Sequence, residues 1–177
     1  MITDSLLQHS IPDGLREEWA AHFAKPLTPP RTDRIALVVF RLGAEKFSLS
    51  ATRVEEIITP GITRPLPHSG NGVLRGVTNV NGRIRTCIWL ERLLNSTPGP
   101  EISSTPRLMV LRDQAWRVAI IVDEILGVRE FHQSDLKPMP ATHTGTVYSK
   151  GWFGEDGEVI AHLHEEEIFN AMRQQLT

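Results

Sequence analysis

The sequence predicts an all-β protein made of two similar small barrels, with a short helix near each end. Three observations carry that prediction. Runs of alternating apolar and polar residues, about five in each half, are separated by turn dipeptides, and convincing helical patterns are few. The second half echoes the first in the same order. "LVVFRLGAEKFSLSATRVEEI" returns as "LMVLRDQAWRVAIIVDEI", "RPLP" as "KPMP", and "RGVTNVNGRIRTCIWLERLL" as "KGWFGEDGEVIAHLHEEEIF". Short strands repeated in this way close into a barrel more readily than they spread into an open sheet. Two barrels side by side leave a groove, where a ligand or partner is expected.

Taken in order, the chain opens with Asp13 as an N-cap for "GLREEWAAHFA", where Leu15, Trp19 and Phe23 recur every four residues. The stretch "KPLTPPRTD", Lys25 to Asp33, carries three prolines and reads as a semi-rigid linker. Residues 1–33 are therefore predicted as helix plus linker, and residues 34–177 as the double barrel. Hairpins follow around Gly43-Ala44-Glu45, Asn81-Gly82, Asp113-Gln114 and Asp156-Gly157, of which Asn-Gly is the strongest signal because a primed turn needs positive φ at both central positions. Gly76, five residues before Asn81, marks a close backbone approach or a bulge. Ala51 to Glu56 and Glu91 to Asn95 read as short helical pieces, and "HEEEIFNAMRQQL" as a C-terminal helix. On the strand before Glu91, the alternation turns Ile84, Ile88 and Leu90 inward and puts Cys87 and Trp89 on the opposite face. The echo pairs Val54-Glu55-Glu56-Ile57 with Val122-Asp123-Glu124-Ile125, Gly76 with Gly151, Gly82 with Gly157, and Leu93-Leu94 with Ile168-Phe169.

A net charge of −2 gives no electrostatic footprint for nucleic acid or an anionic membrane. The longest apolar runs, such as Ala36 to Phe40, are too short to span a bilayer, so no direct membrane insertion is expected. The N-terminal residues have no basic region followed by an apolar one and do not read as a signal peptide. A single cysteine excludes an intramolecular disulfide and points to a reduced, cytoplasmic setting.

None of the chemical motifs assembles a reaction centre. "GNGVLRG", Gly70 to Gly76, lacks the Walker lysine and precedes a strand, so it is no nucleotide loop. His162 and His164 share a strand face, but without a third ligand nearby they read as surface or groove histidines, and no metal is expected. Cys87 has no base beside it and reads as a structural thiol. Glu55-Glu56 and Asp123-Glu124 occupy the same place in the repeat and suit a solvated rim or an interface better than acid–base catalysis. The residues describe a binding module with no cofactor.

The segments "VFRLGAEKFSLSATRVEEI", "RPLP", "GVLRGVTNVNGRI", "LMVLRDQAWRVAIIVDEILGV", "DLKPMP" and "YSKGWFGEDGEVIAHLHEEEIF" together resemble the CheW-like domain of bacterial chemosensory coupling proteins, from about Arg34 to Phe169. The resemblance implies two interlocked five-stranded SH3-like barrels and a non-enzymatic adaptor. It implies two partners: the cytoplasmic tip of a methyl-accepting chemoreceptor and the regulatory domain of a CheA-type histidine kinase. Carried over, Val54, Glu56 and Ile57 line the receptor-facing region with Gly76, Val77, Asn79 and Val80 and the turn Asn81-Gly82, while the kinase takes other barrel edges. Val54 and Val80 are then the apolar anchors for a receptor helix, and Val80→Asp is expected to weaken receptor binding without unfolding the protein.

Two departures from the family pattern stand out. Asn81 replaces the usual arginine, which removes any ion pair to Glu56, and Thr86 and Trp89 replace the usual Pro and Asp. With "PLPHSGNGVL", "REFHQSDLKPMPAT" and "LREEWAAHFAKP", this is similar to accessory CheW-like scaffolds such as those of Wsp-type surface sensing, whose output is a cyclic-di-GMP-producing response regulator. Such an adaptor is cytoplasmic and recruited to membrane-bound receptor arrays. The alternative is a small-barrel module for single-stranded nucleic acid, against which stand the net charge, one Tyr, six Phe and four scattered Trp.

Overall fold

The computed structural model describes residues 33–66, 72–96, 105–139, 146–155 and 157–175. The predicted helix at Leu15 to Phe23 and nearly all of its linker lie outside them. The first half supplies β1 (Arg34–Leu42), β2 (Glu45–Ser50), β3 (Val54–Ile58), β4 (Thr63–Arg64), β5 (Leu74–Val80) and β6 (Arg83–Ile88), then the helix α1 (Leu90–Leu94). The second half supplies β7 (Arg107–Asp113), β8 (Trp116–Val122), β9 (Glu124–His132), β10 (Ser149–Glu155) and β11 (Glu158–Leu163), then α2 (Glu165–Gln174).

The strands form two sheets, and each mixes the halves. One runs β10-β11-β2-β1-β9 and the other β3-β7-β8-β6-β5-β4. Each half therefore gives its first hairpin to the other half's sheet. The two exchanges are made the same way, through a parallel pair in which His162 faces Ser48 in one sheet and Cys87 faces Ala119 in the other. Closure is also repeated. The chain beyond β3 returns to pair Arg64 with Val77, and the chain beyond β9 returns to pair Lys137 with Trp152. These are the SH3-like barrels of the sequence reading, interlocked so that neither half completes one alone.

The paired glycines explain the tightness of closure. A Cβ added at Gly76, whose φ is 141°, would overlap the carbonyl oxygen of Arg64 and come within 2.9 Å of Pro65 Cα. A Cβ at Gly151 would overlap the carbonyl oxygen of Lys137 in the same way. Gly76 also sits at a register shift against β6, so close approach and bulge coincide. Asn81 (φ 51°) and Gly82 (φ 81°) both take positive φ, as a primed two-residue turn requires.

The largest cluster of buried side chains joins the barrels. Val38, Phe40, Phe47 and Leu163 from one sheet pack with Ile88, Met109, Leu111 and Ile120 from the other. The helices close its margins, α1 with Leu93 and Leu94, α2 with Ile168, Phe169 and Met172. The space between the two sheets is thus filled by apolar side chains. A second, smaller cluster of Val80, Cys87, Leu108, Val110 and Ala119 fills the six-stranded barrel.

Two local expectations need correction. Only Ala51–Arg53 is helical, as one 3-10 turn capped by Ser50, and Glu56 belongs to β3. The reason is the strand partner: β7 pairs with Glu56, Ile57 and Ile58 and pulls them into the sheet. On β6, Ile84 is 68% exposed, whereas Cys87 and Ile88 are both buried. Alternation fails as a guide here because the end of β6 lies between two cores, one on each face.

Candidate partner-binding surface

The β5–β6 hairpin has an inner and an outer face, fixed by its two-residue turn. The register pairs Val80 with Arg83, Asn79 with Ile84, Thr78 with Arg85 and Val77 with Thr86. Thr78 and Val80 are buried, so Asn79 and Ile84 share the solvent side. On the other flank Thr63 pairs with Thr78, which brings Ile62 beside the same row, and Thr78 Oγ1 donates to the Ile62 carbonyl at 3.3 Å. Ile62 is 78% exposed. Ile62, Asn79 and Ile84 thus lie across three adjacent segments, with half-buried Val77 behind them.

Strand β3 reaches this hairpin through polar contacts, the shorter one at the turn. Asn81 Nδ2 donates to Glu56 Oε2 at 2.7 Å. Asn81, noted above as a departure from the expected arginine, thus still reaches that carboxylate through a neutral donor. Ile57 on β3 is partly exposed, and half-buried Val54 packs against the main core. A bulge between Val54 and Glu56 separates them. Glu55 is held by Arg117 Nε and lies 4.0 Å from Arg85 Nη2, and Asp123 accepts the Gly43 amide at 2.6 Å. Both acidic pairs are anchored by neighbouring cations or amides, with Glu55 still exposed at its strand's surface.

The nine residues carried over from the resemblance therefore separate by exposure. Asn79, Asn81 and Gly82 are exposed, Val54, Val77 and Glu56 are partly so, and Ile57 stands at the margin. Gly76 and Val80 are buried, and Val80 at 1% exposure belongs to the barrel core. Its side chain offers nothing to a partner, so the expected Val80 anchor is corrected to a core residue. The most exposed apolar side chains of this face among the described residues are Ile62 and Ile84, which sequence reasoning missed. The turn held the signal: a two-residue Asn-Gly loop places Ile84 opposite Asn79, and both then point the same way.

The other candidates are structural. Burial pushes the Cys87 thiol up to about 11, so it stays protonated and unreactive near neutral pH. His162 is 5% exposed and hydrogen-bonded, hence neither a surface nor a groove histidine. Among the described residues, no helix is long and apolar enough to cross a membrane.

Comparison with known proteins identifies the family and the fold. The family model described as the CheW-like domain matches residues 36–173. The chain belongs to the CheW-like family. Protein FrzA of Myxococcus xanthus is 27% identical over 142 residues, covering 76% of this chain and 85% of that protein. The chemotaxis protein CheW of Rhizobium meliloti is 24% identical over 136 residues, covering 75% and 86%. In structure, the chain is similar to the scaffolding protein TtCheW from Thermoanaerobacter tengcongensis, with a TM-score of 0.64 at 21% identity over 73% of this chain and 83% of that one. This CheW-like chain is accordingly a scaffold or adaptor of chemotaxis-type signalling, a family that does not consist of enzymes.

Proposed function

We propose that the protein couples the cytoplasmic tip of a methyl-accepting chemoreceptor to the regulatory domain of a CheA-type histidine kinase, with the receptor on the face formed by β3 and the β5–β6 hairpin. The observation that carries this reading is the Glu56–Asn81 hydrogen bond, which holds β3 against the hairpin turn and makes one face of two strands. Ile62 and Ile84 take the anchoring role assigned from sequence to Val80, because they are the most exposed of the large apolar side chains described there. A receptor helix that lays an apolar stripe on them gains most of its binding energy from those few contacts. Gly76 and Val80 act beneath the surface by fixing the strand that carries Asn79. The kinase domain takes other barrel edges, so both partners bind together and the protein is recruited to receptor arrays from the cytoplasm. The departures at Asn81, Thr86 and Trp89 support a place in an accessory, Wsp-type pathway with cyclic-di-GMP output. The test is a pull-down from lysate: a chemoreceptor and a CheA-type kinase are expected together, and recovery of neither counts against the proposal.

A further inference from the structure

The two barrels have different interiors at equivalent positions. Where Cys87 faces Ala119 across the parallel pair of one barrel, His162 faces Ser48 in the other. Where Leu90 opens α1, Glu165 opens α2. Ser48, His162 and Glu165 are 0%, 5% and 6% exposed. His162 Nδ1 lies 3.3 Å from Ser48 Oγ, and its ring is 5.8 Å from that of Phe153. The Glu165 carboxylate accepts from Lys150 Nζ at 2.7 Å and from the Ser50 amide at 2.9 Å. Ser50 is where the chain leaves one sheet for the other, because its side chain caps the 3-10 turn that leads into β3. The first barrel shows that an apolar filling suits this fold, so the polar cluster is not a requirement of the barrel itself.

We propose that Glu165, Lys150, His162 and Ser48 form an acid-releasable tether that positions the β2-to-β3 crossover and, through it, strand β3. The consequence for partners rests on the reading of β3 given above; the tether does not. Burial holds His162 below its ordinary value of 6.5, with Lys150 and His164 acting in the same direction and Glu165 and the Ser48 backbone opposing. Burial pushes Glu165 up, but Lys150 and the Ser50 amide outweigh it and keep the carboxyl below its usual 4.5. A histidine whose folded value is depressed gives its full stability above the unfolded value and loses it as pH falls below about 6.5. Glu165 adds a second loss in the same direction, below 4.5. Acidification therefore weakens the cluster from both groups, with His162 acting first. An imidazolium at His162 draws the Glu165 carboxylate toward itself, away from the Ser50 amide.

The experiment follows the Ser50 amide by hydrogen exchange in the full chain at pH 7.5 and 5.5, expressed as protection relative to the free peptide rate. Wild type is expected to lose protection on acidification. The double variant S48A/H162C, which copies the other barrel, is expected to keep its protection at both pH values. Glu165→Gln removes the charge that holds Lys150 and lowers Ser50 protection already at pH 7.5. Should S48A/H162C fail to fold, the His162 ring resonance of wild type is titrated directly, with a midpoint below 6.5 expected. Constant Ser50 protection in wild type, or a His162 midpoint at or above 6.5, overturns the tether. Receptor titration at both pH values separates the two readings: protection lost with receptor affinity unchanged supports the tether and counts against a receptor site on β3.

Discussion

Replacing Val80 or Ile84 by Asp places the same carboxylate on neighbouring strands of one hairpin, one on each face. Val80 is 1% exposed and packs with Cys87, Leu108, Val110 and Ala119. Removing its burial costs about 1.5–3 kcal/mol, and burying an unpaired polar group there adds about 2–7 kcal/mol. The sum is comparable to the whole stability of a domain, about 5–15 kcal/mol. Ile84, at 68% exposure, has only about a third of its surface to lose, worth on the order of 0.5–1 kcal/mol. Circular dichroism melting at pH 7.5 reads both. Val80→Asp is expected to abolish the cooperative transition or lower it steeply, and Ile84→Asp to stay within a few degrees of wild type. A Val80→Asp protein that melts like wild type would refute the assignment of this side chain to the core, and with it the inner and outer faces of the hairpin.

Three further outcomes follow from local geometry. Gly76→Ala should cost about 3 kcal/mol or more in urea unfolding, because its Cβ needs the space of the Arg64 carbonyl, whereas Gly82→Ala has open space and should cost only the positive-φ penalty of about 1–2 kcal/mol. Cys87 should not react with a thiol reagent at pH 8 until denaturant is added; fast reaction of the native protein would contradict its burial. Deleting Met1 to Thr32 should leave cooperative melting, since both halves of the repeat lie beyond it; its loss would mean that Leu15, Trp19 and Phe23 complete the core.

Much of the architecture could be read from pairs of residues. Gly76 with Gly151 and Gly82 with Gly157 mark the same closures and turns in both barrels, because backbone crowding and positive φ leave few residue choices. Leu93-Leu94 and Ile168-Phe169 likewise end each half with a buried helical pair. The exchange of hairpins between sheets was legible only through the family resemblance, as interlocked barrels, and not in the strand patterns themselves. An alternating strand declares which face it buries, and nothing in its pattern names the strand beside it. Val80 and Ile84 went wrong for a related reason: a hairpin flanked by a core on one side and solvent on the other looks apolar on both strands. His162 could not be placed from its HxH spacing, since its burial depends on Ser48, more than a hundred residues away.

The most direct test of the account is a pair of titrations, of a receptor signalling fragment and of the kinase regulatory domain, against wild type and Ile84→Asp. The account predicts that wild type binds both and that the variant loses about ten-fold or more toward the receptor, the value of one interface anchor, while kinase affinity changes little. Equal loss for both partners, or receptor affinity unchanged in a variant that remains folded, would contradict the placement of the receptor on this face.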